Sequence, residues 1–212
     1  MIIGILSQKG GVGKTTLSIN LAACFADGGL SVLLVDADPQ ASAQSWSSVR
    51  EEEPLFPVIG MAKPSLHKDL PSVAGNYDVT IIDGAPRVND LGRASILASD
   101  LVVIPVQPSP YDVWAAGDTV SLIEEARVFK ENLKAVFAIN RKIVNTAIGR
   151  DVETALGDYP FGILKHHVCQ RVVFAESAAT GRTIFEVAAQ SEAAREVTAM
   201  AEEIWQMQGE TS

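Results

Sequence analysis

Short continuous runs of Val, Ile and Leu recur along this chain, separated by longer stretches in which apolar residues return every third or fourth position. Runs that are apolar throughout suit strands with both faces covered, and the helical spacing suits the helices that cover them. On this pattern strands are expected at 2–7, 31–36, 79–83, 101–106, 136–140 and 161–164. Helices are expected at about 14–27, 40–52, 89–98, 112–130, 146–157 and 190–207. In the helix opening at Asp112, Val113, Ala116, Val120 and Ile123 fall on one face. The alternation predicts an α/β fold with a doubly wound, mostly parallel sheet. Segment 53–75 carries Pro54, Pro57, Pro64 and Pro71, which break ladders and helices, so only loops and short elements are expected there.

With 212 residues, 47% of them hydrophobic and 20% charged, the chain has the makeup of one globular domain spanning 1–212. The opening apolar run has no basic flank and is too short for a signal sequence or a membrane span. Cys24 and Cys169 stand apart from other ligands, which points to reduced thiols in a cytoplasm rather than a disulfide or metal framework. A net charge of −9 excludes a domain that is basic throughout, while leaving room for local basic patches.

The strongest local signal follows the first strand: Gln8-Lys9-Gly10-Gly11-Val12-Gly13-Lys14-Thr15-Thr16, leading straight into an apolar helix. Glycines let successive backbone N–H groups and the helix N-terminus converge on phosphate oxygens. In such a P-loop Lys14 reaches the β- and γ-phosphates, and the Thr15 hydroxyl binds Mg²⁺. The common Gly-x-x-x-x-Gly-Lys-[Ser/Thr] pattern wants glycine where this chain has Gln8.

Three carboxylates are expected at the carboxyl ends of strands, where open α/β sheets bind ligands. Asp36 and Asp38 lie two apart in Asp-Ala-Asp-Pro-Gln and share a face if extended; a turn followed by a helix cap also accounts for them. Asp83 ends the run Val79-Thr-Ile-Ile, the placement of a Walker B carboxylate that holds Mg²⁺. Asn140 ends another strand, and its amide can pair with a purine edge or simply form a turn.

Lys-Gly-Gly-Val-Gly-Lys-Thr-Thr resembles the deviant Walker motif of the ParA/MinD ATPases, closest to the short, ParF-like partition proteins. The resemblance extends through Asp-x-Asp-Pro-Gln, the Asp83 strand, Ser-Asp100-Leu-Val-Val-Ile-Pro-Val, Asn-Arg-Lys and Gly-Arg-Thr-Ile-Phe-Glu186. It implies a P-loop NTPase using ATP/ADP and Mg²⁺, with Gly10 to Thr16 cradling phosphate and Lys14 and Asp38 catalytic. Lys9 becomes a signature lysine serving the partner's nucleotide across an ATP-dependent homodimer. Thr15, Asp36 and Asp83 support the metal, Asn140 contacts adenine, and Pro108 in the proline-dense stretch 105–112 meets a sandwiched nucleotide. The Gly84-Ala85 pair departs from the family's usual residues after that aspartate.

The activity implied is weak ATP hydrolysis driving plasmid or chromosome segregation: the dimer binds DNA nonspecifically and is released by a small centromere-binding activator, ParB-like or ribbon-helix-helix. Such a protein is cytoplasmic and associated with the nucleoid. Lys142, Lys165, Arg171 and Arg182 are the candidate DNA contacts, although scattered solvated cations describe them equally well. A MinD-like membrane role needs a basic amphipathic tail, and the last expected helix carries Glu192, Glu196, Glu202 and Glu203 instead. Positioning a protein cargo by the same cycle is the other reading left open.

Overall fold

The structure, a computed structural model, describes residues 1–86, 90–143 and 148–209. Residue 89 and residues 146–147 of two expected helices, and 210–212 of the expected domain, lie outside the described residues.

The chain alternates as its pattern predicts. In order it runs β1 (Ile2–Ile5), α1 (Lys14–Asp27), β2 (Val32–Asp36), α2 (Ser42–Ser48), β3 (Val58–Gly60), α3 (Leu66–Ala74), β4 (Val79–Asp83), α4 (Asp90–Ala98) and β5 (Leu101–Val106). It continues through α5 (Pro110–Arg127), β6 (Lys134–Lys142), α6 (Ile148–Leu156), β7 (Gly162–Ile163), β8 (Val168–Cys169), α7 (Val173–Ala179), α8 (Ile184–Ala188) and α9 (Glu192–Gln206). The strands form one sheet in the order β3-β2-β4-β1-β5-β6-β7, with β8 also pairing β6, and every described pairing is parallel.

Successive strand residues feed opposite layers, which is why the strands read as unbroken apolar runs. Val32 and Leu34 pack with α1 and α9, whereas Leu33 and Val35 pack with α3 and α4. Likewise Leu101 and Val103 face the first layer, and Val102, Ile104 and Val106 face Val113, Val120 and Ile123 of α5. Helices on both faces make the doubly wound arrangement. From β1 the chain goes to β2 on one side and later crosses from β4 to β5 on the other, so the winding reverses at the carboxyl end of β1.

The proline-rich segment holds more than the prolines suggest. Leu66, Leu70 and Ala74 recur every fourth position and are buried, enough to carry α3 through Pro71, which stands on the exposed side. Loss of one N–H is outweighed by a packed apolar stripe. β6 runs longer than expected because its end bends: Arg141 takes a left-handed φ of 56°, the register shifts there, and β8 pairs with the shifted end.

Candidate nucleotide site

The loop after β1 folds into a cradle for local reasons. Gly11 and Gly13 take φ of 79° and 90°, the left-handed region that favours glycine. A Cβ on Gly13 would lie 2.4 Å from Asn140 Nδ2, so the loop can approach β6 this closely only without a side chain. Gly13 is the N-cap of α1, and neither a capping side chain nor an acidic residue occupies that helix's first turn. Its free N–H groups and the positive end of its dipole therefore face the loop, an arrangement that attracts an anion.

Neighbouring elements hold the loop by its carbonyls. Asn140 Nδ2 donates to the Val12 oxygen at 2.7 Å, while Gln107 Nε2 and Arg141 Nη1 donate to the Gly11 oxygen at 2.8 and 2.9 Å. Gln8 N donates to Thr119 Oγ1 of α5 at 3.3 Å. Lys14 is 7% exposed and its Nζ donates to the Lys9 carbonyl at 2.9 Å. Burial lowers its pKa, opposed by the Asp83 and Asp38 carboxylates. Lys9 points elsewhere, its ammonium salt-bridged to Oδ2 of Asp112 in the first turn of α5. That aspartate is buried, and its Oδ1 has no partner among the described residues.

The three carboxylates come together as the strand ends imply. Asp36 and Asp83 are register partners across β2 and β4, and Asp83 also pairs with Ile5 of β1. Asp36 is fully buried and accepts backbone N–H groups from Asp38 at 3.1 Å and Gln44 at 3.0 Å, so it orders the turn into α2. Asp38 Oδ1 accepts from Gln40 N at 2.9 Å. Asp83 is different. Its Oδ1 lies 3.2 Å from Ser18 Oγ, which is also 2.9 Å from the Lys14 carbonyl, and its buried Oδ2 has no partner among the described residues. Burial pushes its pKa up to about 7, against hydrogen bonds from Thr15 and Ser18, with Asp36 adding to the rise.

An orphaned carboxylate oxygen beside the Thr15 hydroxyl and at the mouth of a phosphate cradle fits Mg²⁺, a hard ion that takes one or two protein oxygens plus phosphate and water. Among the described residues no group of three or more His, Cys, Asp or Glu could hold a metal by itself, so such an ion would take most of its ligands from the nucleotide.

Beside the loop lies an open cavity of about 640 Å³, lined among others by Gly13, Thr16, Asn140, Arg141, Arg171 and Phe174. It is large enough for a base and sugar. Pro108 is half-buried in the β5–α5 connection next to Gln107, on the other flank of the loop. Of the candidate DNA contacts, Lys142 pairs with Glu153 at 3.4 Å, Arg171 with Glu196 at 2.6 Å and Arg182 with Glu52. Lys165 is exposed and has no salt bridge among the described residues.

Sequence reasoning missed Asp112, Gln107 and Arg141. Each lay beside a residue already singled out, Gln107 and Asp112 in the proline-dense stretch and Arg141 next to Asn140, but each acts through a contact more than 90 residues away in the chain, which spacing does not reveal.

A doubly wound parallel sheet with a glycine cradle at the end of its central strand defines a P-loop nucleotide-binding protein. The chain belongs to the CobQ/CobB/MinD/ParA nucleotide-binding domain family, whose model matches residues 3–184. It is 30% identical to the maintenance of carboxysome distribution protein A of Halothiobacillus neapolitanus, covering 91% of this chain and 90% of that protein. It is 32% identical to the chromosome-partitioning ATPase Soj of Thermus thermophilus, covering 95% and 94%. The septum site-determining protein MinD of Pyrococcus horikoshii, solved with Mg-ADP, superposes with a TM-score of 0.79 at 22% identity, covering 98% of this chain and 97% of that one. The resemblance read from the P-loop therefore holds.

Proposed function

We propose that this protein is an ATPase that dimerises on Mg-ATP, binds DNA nonspecifically as a dimer and is released when a small activator stimulates hydrolysis, so segregating plasmid or chromosomal DNA. The observation that carries it is the separation of two lysines on one loop: Lys14 enclosed over the cradle and Lys9 held at its rim by Asp112.

In this reading the Gly10–Thr16 amides and the α1 N-terminus bind the phosphates, and Lys14 transfers from the Lys9 carbonyl to the terminal phosphates. Thr15 and Asp83 would hold Mg²⁺, with Asp36 supporting, and the bound ion would supply positive charge against the phosphoryl oxygens. Asp38 orients the attacking water. Lys9 leaves Asp112 and serves the partner's nucleotide, as a cation supplied in trans does in other phosphoryl transfers. Asn140 gives one Nδ2 hydrogen to the loop, which leaves its carbonyl oxygen and its second N–H to meet an adenine edge. Pro108 stiffens the flank facing the second subunit.

The DNA step needs cations free to meet phosphate. Three of the four candidates are paired with carboxylates, so binding requires them to exchange partners, and Lys165 is the one placed to act first.

A second reading keeps this cycle and replaces the DNA cargo by a protein assembly, supported by the near-full-length similarity to the Halothiobacillus carboxysome-distribution protein. A membrane role has less support: among the described residues no helix is long and apolar enough to cross a membrane, and α9 is acidic outside its buried face.

Sedimentation with ADP, ATP and a slowly hydrolysed analogue, followed by DNA binding of each species at two salt concentrations, tests the proposal. Dimers and salt-sensitive DNA binding are expected only with triphosphate; equal binding with ADP refutes the switch.

A further inference from the structure

The outward stripe of α5 changes character along its length. Tyr111 and Trp114, 71% and 68% exposed, form an edge-on ring pair with centroids 5.4 Å apart. Asp118, Glu124 and Glu125 follow, and Val128 and Phe129 stand exposed just past the other end of the helix. The aromatic end is the one beside the P-loop, because Asp112, between the two rings in sequence, grips Lys9. The far end lies about 25 Å away, at about 1.5 Å per residue of helix. A single exposed apolar side chain is ordinary, but two aromatics in mutual contact on a rigid helix have the size and stiffness of interface anchors.

We propose that Tyr111 and Trp114 are the apolar anchor by which a second copy of this chain docks in the triphosphate-bound state. The inference rests on the reading of Lys9 as a residue that crosses to a partner. Its argument is continuity: the lysine that must reach a second nucleotide and the aromatic pair leave the same loop-and-helix corner, so a partner close enough for one covers the other. A two-fold axis beside this corner sets the same patch on both subunits, and an aromatic pair is complementary to its own copy. Nucleic acid and anionic lipid are poorer occupants, since Asp118 and Glu124 continue the stripe and the chain carries a net charge of −9.

The test is the dimer dissociation constant, from sedimentation with a slowly hydrolysed ATP analogue and Mg²⁺, for the native chain, Trp114→Ala, Tyr111→Ala and, at the far end, Phe129→Ala. Binding of a fluorescent nucleotide to dilute monomer and the unfolding midpoint are measured on each. Trp114→Ala is expected to weaken the dimer at least about tenfold, Tyr111→Ala several-fold and Phe129→Ala not measurably. Monomer nucleotide affinity and folding stay unchanged in all three. Tryptophan emission should shift to the blue on dimerisation in the native chain and not in Trp114→Phe. Dimers of native strength in both aromatic variants overturn the inference while the proposed cycle stands. A native chain that stays monomeric with the analogue overturns the cycle itself. Native-strength dimers that no longer respond to an activator protein assign the patch to that activator and also overturn the inference.

Discussion

Replacing Asp83 with Asn removes a charge from the driest corner of the nucleotide site. The side chain is 1% exposed, its Oδ2 has no partner among the described residues, and burial pushes the carboxyl from 3.8 to about 7 despite help from Thr15, Ser18 and Lys14. Below about pH 4 the carboxyl is protonated in folded and unfolded chains alike and does not affect stability. Between about pH 4 and 7 the unfolded chain ionises first, so the folded state holds the extra proton and stability falls as pH rises. Above pH 7 the penalty is complete. At about 1.4 kcal/mol for each pH unit it comes to about 4 kcal/mol. Asparagine escapes that penalty, in which the attraction to Lys14 is already included, so the expected gain at pH 8 is about 4 kcal/mol. Urea unfolding of the nucleotide-free protein at pH 4, 6 and 8 measures it. Asp83→Asn should come within about 1 kcal/mol of the native chain at pH 4, exceed it clearly at pH 8 and lose the extra stabilisation that Mg²⁺ adds to nucleotide binding. A variant no more stable than the native chain at pH 8 refutes the claim that an uncompensated carboxylate is stored there.

Lys9→Ala leaves Asp112 buried without its cation and should cost about 2 kcal/mol at neutral pH; the double variant with Asp112→Asn should recover most of it, as chemical denaturation would show. Gly13→Ala forces a side chain onto a φ of 90° and against the Asn140 amide, so ADP binding by equilibrium dialysis should fall at least about tenfold while the fold survives at a cost of about 1–3 kcal/mol. Lys165→Ala should weaken DNA binding evenly across sequences and flatten its salt dependence by about one phosphate contact, read from affinities at several salt concentrations.

What the sequence made legible is what is decided locally. The cradle needs glycines and a helix start within a few residues, and the acids need only to end strands, so Gly13, Lys14, Asp36 and Asp83 could be placed from their neighbours alone. The apolar period identified the sheet because each strand is covered twice. Proline signals misled at α3, where an i, i+4 stripe of Leu66, Leu70 and Ala74 carried the helix through Pro71. β8, α7 and α8 are two to seven residues long, too short for a period to emerge. The partners of surface cations were also hidden, since Glu196 for Arg171 and Glu52 for Arg182 are brought near only by folding.

Under the proposed cycle one loop serves two nucleotides, and its two lysines are held in ways that suit those separate roles. Lys14 is closed in by α1, the Asp83 strand and the loop's own backbone, and its lowered pKa marks an ammonium short of counter-charge despite Asp83 and Asp38. Phosphate oxygens arriving at the cradle relieve that shortage without moving the lysine out of its own chain. Lys9 stands at the rim with about a third of its side chain exposed, and one carboxylate on a different element holds it. Its bond to Asp112 can be exchanged for another anion at little cost in packing, which the enclosed lysine cannot do. Asp112 supplies the counterweight: its second oxygen has no partner among the described residues, so losing Lys9 raises the energy of the vacated corner and makes the exchange depend on what replaces it. Under the proposed cycle that replacement is the partner's phosphate, and the reach of Lys9 is set by α5 as much as by the P-loop. Moving the carboxylate by one methylene in Asp112→Glu should therefore change the dimer's affinity for the triphosphate more than the monomer's, and an equal change in both would break the link between this ion pair and the second subunit.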